Sequence, residues 1–368
     1  MAGLSKISEN RLSFQVLKRN VIDKDLCALC YGCVSFCTAN ELHALGIKED
    51  KPIYLDESKC LKCGICYLIC PRTEELDEVL INRLSFKDPI GSYIEVKCLQ
   101  TTNKLVRNVC CDGGVVTSIL KFLLDTRRID GAVLVERTGI WNSRPLVATN
   151  FDDLLKCAGS KLSQTESLIE MGKQTTYASI FEGLKKSRIF DLTRLAIVGS
   201  PCQIKTIQKM RLLRIFPSTL IKFSIGLFCF ENFIINEHGK RYLKKKIKTQ
   251  LGEIKKINLK DKMIVNLRNG KTLNIALDEL NPIVRQSCLA CTDFSNFSAD
   301  ISVGGLGSPE GYTTVIVRNH LSKTIVDEAI RQGYIIEIAR EGMVNKIFEM
   351  AKKKMERGQR IFTERKGR

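Results

Sequence analysis

The chain has 368 residues, of which 44% are hydrophobic and 27% charged, with a formal net charge of +18. That length accommodates about two domains with a substantial core, and the composition excludes a disordered or collagen-like chain. Sixteen cysteines and no apolar leader over residues 1–20 lead us to expect a cytoplasmic protein with metal or redox chemistry, not a disulfide framework. No uncharged apolar run reaches membrane-span length; the closest, residues 220–235, is interrupted by Lys222 and Glu231 and reads as a buried strand entering a helix. The Lys and Arg surplus is spread along the chain without a nucleic-acid motif. Polyanionic small molecules or an acidic partner subunit explain it as well as nucleic acid would, and we expect no nucleic-acid partner.

Residues 1–26 form a basic lead-in with a short amphipathic segment at 12–17. Next comes Cys27-Ala-Leu-Cys30-Tyr-Gly-Cys33-Val-Ser-Phe-Cys37, repeated as Cys60-Leu-Lys-Cys63-Gly-Ile-Cys66-Tyr-Leu-Ile-Cys70-Pro71. Each run reads C-x2-C-x2-C-x3-C and resembles the bacterial two-cluster ferredoxins, in which the fourth cysteine of a run reaches the other cluster. By that rule Cys27, Cys30, Cys33 and Cys70 hold one 4Fe–4S cluster, and Cys60, Cys63, Cys66 and Cys37 a second. Ala28, Gly32 and Gly64 are small enough for a loop to wrap a cube face, while Thr38 stands where the pattern has proline. Paired C-x2-C also suits zinc, but two complete runs favour clusters. A short strand is expected at 52–55 and a helix at 74–84, with Leu76, Val79, Leu80 and Leu84 on one face.

Beyond a boundary near residue 86, a strand is expected at 93–99. Gly113-Gly114 leads into a periodic apolar helix, followed by a strand at 132–135. Two glycines at a helix start expose N–H groups to an anion or a ring edge, or simply make a tight turn. Residues 195–198 read as a buried strand, 199–203 as a turn and 204 onward as a helix, which puts Cys202 where a thiolate is favoured. Alternation of this kind over 113–235 argues for an α/β layer arrangement. Residues 244–260 read as a solvated helix face, and 262–277 as a hairpin with a type I′ turn at Arg268-Asn269-Gly270-Lys271. Cys288-Leu-Ala-Cys291, a Gly-rich loop at 304–311 and a strand at 313–317 follow. The Lys- and Arg-rich tail from Lys352 reads as a fraying helix, either a solubilising end or a dock for an acidic partner. Cys288 and Cys291 alone could be a zinc pair, a redox pair or neither, with Cys202 and Cys229 as candidate partners. Cys98, Cys110, Cys111 and Cys157 receive no role, and His43, His238 and His320 stand apart from every motif.

The second part resembles the coenzyme F420 hydrogenase/dehydrogenase beta-subunit family. The resemblance rests on Asp112-Gly-Gly-Val-Val-Thr117, Ile129-Asp-Gly-Ala132, Trp141 with Pro145, and Ala158-Gly-Ser-Lys161. It continues through Val198-Gly-Ser-Pro-Cys-Gln203, Ile225-Gly-Leu-Phe-Cys-Phe-Glu-Asn-Phe233, Cys288-Leu-Ala-Cys-Thr-Asp293, Ala299-Asp300 and Gly307-Ser-Pro-Glu-Gly311. Cys110-Cys111 before Asp112 departs from the family, which commonly has Gln there. With the two cysteine runs attached, the chain is similar to the electron-input subunit of F420H2 dehydrogenases. The resemblance implies FAD and a third 4Fe–4S cluster on Cys202, Cys229, Cys288 and Cys291, with Gly113, Gly114, Thr117, Trp141, Ser160 and Lys161 as flavin contacts. It implies oxidation of F420H2 by hydride transfer to FAD, with no side-chain acid or base required. Single electrons then leave through three 4Fe–4S clusters to an electron-accepting subunit or membrane-associated complex, or flow in reverse. The surplus Lys and Arg suit the phosphate and glutamate tail of the deazaflavin. A formate dehydrogenase beta subunit or another family reductase is the alternative, and a non-enzymatic ferredoxin-like relay a further one. The expected fold is α+β to α/β: a two-cluster ferredoxin domain at 1–86, an α/β flavin-binding domain with a small β-hairpin insertion at 87–345, and a basic tail at 346–368. The expected setting is a hetero-oligomer, cytoplasmic or peripheral on a membrane complex.

Overall fold

The computed structural model describes residues 12–49, 51–87, 89–138, 142–159, 164–165 and 192–367. Its strands are β1 (Leu45–Lys48), β2 (Lys51–Tyr54), β3 (Glu95–Thr101), β4 (Gly131–Arg137), β5 (Asn142–Ala148), β6 (Gln164–Thr165) and β7 (Leu195–Gly199). They continue as β8 (Ile221–Leu227), β9 (Ile254–Leu259), β10 (Lys262–Leu267), β11 (Thr272–Ala276), β12 (Ile301–Gly304), β13 (Thr313–Val317) and β14 (Ile335–Ile338). One sheet has the order β14-β3-β13-β12-β8-β7-β4-β5-β6. Its centre, β12, β8, β7 and β4, is parallel, and antiparallel strands extend it on both sides. Covering helices explain why β7 and β13 read as continuous apolar runs rather than as alternation: they are buried on both faces.

Helices Val115–Asp125 and His320–Arg331 cover one face, where Val115, Ile119, Phe122 and Leu123 pack with Ile325, Val326, Leu134 and Phe223. Helix Pro201–Leu212 covers the other with Ile204, Ile207 and Met210. The same core takes in Cys30, Phe36 and Ile69 from the cysteine-rich unit, so this helix is the seat on which that unit rests. Fully burying side chains of this size stabilises by about 1.5–3 kcal/mol each.

The stretch read as one solvated helix, 244–260, divides. Helix Glu237–Ile247 ends at Lys248, which has φ 54°, and the chain then enters β9 because Ile254 and Ile257 reach a core with Leu243 and Met263. The hairpin β10–β11 forms, but β9 pairs on its other side, making a three-stranded sheet. Its turn is not type I′. Gly270 has φ +84°, Asn269 is not left-handed, and Gly270 N–H donates to Leu267 O at 3.1 Å, which is a type I turn with a glycine bulge. Strand β8 leads into a loop rather than a helix, and Cys229 sits on it. The helix expected at 74–84 is Asp77–Leu84, with Leu80 buried but Val79 48% exposed.

The basic tail is a 25-residue helix, Met343–Gly367, with Met343, Ile347, Ala351, Lys354 and Gly358 buried along one stripe. It lies back on its own chain. Among the described residues, no helix is long and apolar enough to cross a membrane.

Candidate iron–sulfur and cofactor site

In both cysteine runs the backbone turns left-handed at matching places, Leu29 and Lys62 and then Tyr31 and Gly64, with φ between 52° and 74°. Gly32, expected to supply that freedom, instead begins helix Gly32–Ala39, and Tyr31 takes the position of Gly64. Successive N–H groups in such conformations make a concave, anion-favouring nest, a feature of many iron–sulfur sites. Thr38 stands where proline was expected because that helix runs on to Ala39; its Oγ1 donates to Val34 O at 2.9 Å.

Burial pushes the Cys27 thiol up to about 12, and the charges of Cys30 and Cys70 add to it. Cys33 is pushed up by burial and by Cys27, Cys30, Cys66 and Cys70. The crossed partners also meet: burial drives Cys66 up to about 12, reinforced by Cys63, Cys60 and Cys37. Cys37, Cys60, Cys63 and Cys66 line one cavity. Thiols brought this close repel as thiolates, and a cationic cluster removes that cost. Among the described residues no three His, Cys, Asp or Glu side chains converge tightly on a single ion.

The third group also gathers. Cys202, near the start of helix Pro201–Leu212, is pushed up to about 12 by burial, then by Cys30 and Cys291. Cys229 is raised by burial and by the charges of Cys288, Cys291 and Cys202. Ser200 Oγ lies 3.3 Å from Cys202 Sγ, and Asn232 Nδ2 donates to Cys229 Sγ at 3.7 Å. Thr206 Oγ1 approaches Cys30 Sγ at 3.6 Å from the same helix that carries Cys202, so that helix touches both groups.

Three cations beside these groups went unnoticed in the sequence: half-buried Arg72 and the buried Lys209 and Lys354. Arg72 follows Cys70-Pro71 and donates through Nη1 and Nη2 to Ala290 O (3.2 Å) and Ser287 O (2.8 Å), leaving its buried Nε without a partner. Burial opposes its charge, but Cys291, Cys202, Cys288 and Cys70 outweigh that and raise its pKa. Lys354 donates to Cys229 O at 2.5 Å and Asp293 O at 2.8 Å. Burial works against a thiolate at Cys291 too, yet Lys354 and Arg72 bring it down to about 7. Lys209 donates to Cys70 O at 2.8 Å and pairs with Asp77 Oδ1 at 2.8 Å. Only Arg72 had a signal, its place directly after the second run. Helix Met343–Gly367 can approach because residue 358 is glycine: a Cβ there would stand 2.3 Å from Cys291 O. Gly358→Val is expected to push the helix off this loop at a cost of about 1–3 kcal/mol. Thermal melting checks it, and an unchanged transition temperature would contradict this contact.

At the C-terminal ends of β4, β7, β8 and β12 lies a cleft with about 970 Å³ of space, part of it open. Ligands of α/β sheets bind at this edge. Its walls combine Val115, Leu134, Val198 and Val303 with Thr117, Ser200 and Gln203, a mostly apolar surface with a polar edge that suits a flat ring. Gly114 (φ +72°) and Thr117 line it. Gly113 does not: its N–H donates to Thr313 Oγ1 at 2.9 Å, and a Cβ would stand 2.5 Å from Leu99 O. It packs between β3 and β13 beside the cleft wall. Trp141, Ser160 and Lys161 lie outside the described residues. Cys110, Cys111 and Cys157 line the cleft, and Cys98 is buried in β3. Ser200 belongs to the cleft wall while touching Cys202, so cleft and third cysteine group share a boundary.

The family model for the C-terminal part of the coenzyme F420 hydrogenase/dehydrogenase beta subunit matches residues 192–341, and the model for its N-terminal part matches 99–170. A 4Fe-4S dicluster domain matches residues 19–71. An uncharacterized protein of Methanocaldococcus jannaschii is 29% identical over 94% of this chain and 98% of its own length. A subunit of the F(420)H(2) dehydrogenase of Methanosarcina mazei is 27% identical, over 90% of this chain and 91% of that protein. A chain of the F420-reducing NiFe hydrogenase complex from Methanosarcina barkeri has the same fold, with a TM-score of 0.66 at 24% identity, over 76% of this chain and 94% of that one. The chain therefore belongs to the coenzyme F420 hydrogenase/dehydrogenase beta-subunit family, with a 4Fe-4S dicluster domain over residues 19–71.

Proposed function

We propose that this chain oxidises reduced coenzyme F420 at FAD bound in the strand-end cleft and sends single electrons through three 4Fe–4S clusters to a partner subunit. When bound, FAD supplies the exchange between a two-electron hydride and single electrons, and cubanes carry electrons one at a time. Gly114 and Thr117 hold the flavin at the start of helix Val115–Asp125, and the apolar walls exclude water from the ring. Cys202, Cys229, Cys288 and Cys291 hold the cluster next to the flavin. Cys27, Cys30, Cys33 and Cys70 hold the next, and Cys37, Cys60, Cys63 and Cys66 the last, where exposed Cys63 marks the exit toward a partner. No side-chain acid or base takes part.

The observation that carries this reading is the adjacency of cleft, Cys202 and Cys30, all joined by helix Pro201–Leu212. Kinship to proteins named as F420H2 dehydrogenase and F420 hydrogenase subunits supports the substrate. The test is anaerobic titration of reconstituted protein with F420H2, with NADH as control. Bleaching of flavin and cluster absorbance by F420H2 alone is expected. Flavin that stays oxidised with both donors would refute the substrate.

A further inference from the structure

Lys354 carries a charge that no carboxylate among the described residues balances. It is 1% exposed and lies on the buried stripe of helix Met343–Gly367. Its ammonium donates to two carbonyls, Cys229 O and Asp293 O, and forms no ion pair among the described residues. Two buried carboxylates feel the charge, yet neither pairs with it. Glu231 is held by Arg357 at 3.1 Å, and Asp293 Oδ1 accepts from the Asn296 N–H at 2.7 Å. An ammonium taken out of water costs far more than two carbonyls return.

What faces this charge is sulfur. Cys291, Cys229 and Cys288 attract it strongly enough to raise its pKa against the effect of burial. Thiols balance a cation only as thiolates, and burial holds Cys229 far from ionising. Cluster binding removes the thiol protons, and four thiolates around a 4Fe–4S core keep a net negative charge.

The helix that carries Lys354 also reaches the other cysteine groups. Gly358, one turn on, lies against Cys291 O. Beyond it, Ile361 and Phe362 pack on the core that holds Phe14, Leu17 and Tyr67 of the cysteine-rich unit. Arg365 donates to Asp25 O at 2.8 Å and to Gln286 O at 2.9 Å, and Lys366 pairs with Glu74. One rod therefore spans the third cysteine group and the ferredoxin unit.

We infer that Lys354 is the counter-ion of the cluster on Cys202, Cys229, Cys288 and Cys291, and that loading this cluster docks the helix and so fastens the ferredoxin unit. The inference rests on the three-cluster reading above. Lys354 is a positioning residue, since it touches the backbone beside the cluster ligands and not the reacting flavin. The coupling is reciprocal: the cluster favours the docked helix, and docked Lys354 favours the more negative, reduced cluster.

The test uses full reconstituted chains: wild type, Lys354→Met, Lys354→Arg, a Cys288→Ser/Cys291→Ser chain, and that chain with Lys354→Met added. Iron per chain reports loading, about twelve atoms with the third cluster and about eight without it. Hydrogen exchange read by mass spectrometry follows residues 343–367. In the double-serine chain the helix is expected to exchange about tenfold faster or more than in wild type. Adding Lys354→Met should restore its protection, because methionine leaves no charge to bury. In loaded protein, Lys354→Met should shift the third cluster's one-electron equilibrium about tenfold, which lowers its midpoint by about 60 mV, while Lys354→Arg stays near wild type. Loss of the cluster from the methionine variant alone would equally support the counter-ion, whereas loss from both variants would leave Lys354 a packing role and overturn the inference. Equal exchange with and without the third cluster, protection that methionine does not restore, or an unshifted midpoint would overturn it as well, with the three-cluster reading intact. Wild type with only eight iron atoms, or a double-serine chain with twelve, would sink that reading and this inference together.

Discussion

Replacing Cys291 with serine is expected to lower iron from about twelve to about eight atoms per chain, one cubane's worth, and to separate flavin reduction from cluster reduction. Cys291 is the strongest place to break the relay. Its thiol is brought down to about 7 by Lys354 and Arg72 against the cost of burial, so it is poised as a thiolate where Cys202 and Cys229 are pushed up. Serine matches its size but offers an alcohol that does not ionise near neutrality. F420H2 should then still bleach the flavin, while the ferredoxin clusters, having lost the proposed intermediate carrier, reduce at least about a hundredfold more slowly, a barrier increase of about 2.7 kcal/mol. Iron and acid-labile sulfide assays with stopped-flow absorbance check this. Full iron content in the variant would remove Cys291 from the ligand set. Cys98→Ser is the control: Cys98 is buried in β3, away from the cysteine groups, and all iron should remain.

Arg72→Met should lower the midpoint potentials of two clusters together, by about 60 mV or more each, equivalent to about tenfold in each one-electron equilibrium. The guanidinium stands between Cys70 and the Cys288–Cys291 loop and feels the thiols of both groups. A cluster gains negative charge on reduction, so removing a nearby cation disfavours the reduced form and moves its potential down. The change also leaves the Ser287 and Ala290 carbonyls short of a donor, at about 1–3 kcal/mol each. Arg72→Lys keeps the charge but loses the two-pronged contact, and should restore most of the potential and less of the stability. Potentiometric titration followed by electron paramagnetic resonance separates the two effects. Unshifted potentials in the methionine variant would show that Arg72 only fastens the loop.

Local features were legible in the chain itself. The first three cysteines of each run sit on one loop, so C-x2-C-x2-C-x3-C is legible as a motif, and the strand, turn and helix around Cys202 obey the same nearest-neighbour rules. The tail even carried its own signal, since Ile347, Ala351, Lys354 and Gly358 recur at helical spacing, but its basic composition hid that stripe. What composition cannot separate is one lysine from another. Lys354 and Lys209 are buried counter-charges while Lys346 and Lys353 stay exposed, because a charge goes inside only where carbonyls, carboxylates or thiols from distant segments meet it. The same reason governs the rest. The sequence by itself determined the two cysteine runs, the α/β alternation and the family; tertiary structure alone decided that Arg72 joins two cysteine groups, that Gly113 packs between β3 and β13, and that Gly358 lets the C-terminal helix close on the Cys288–Cys291 loop.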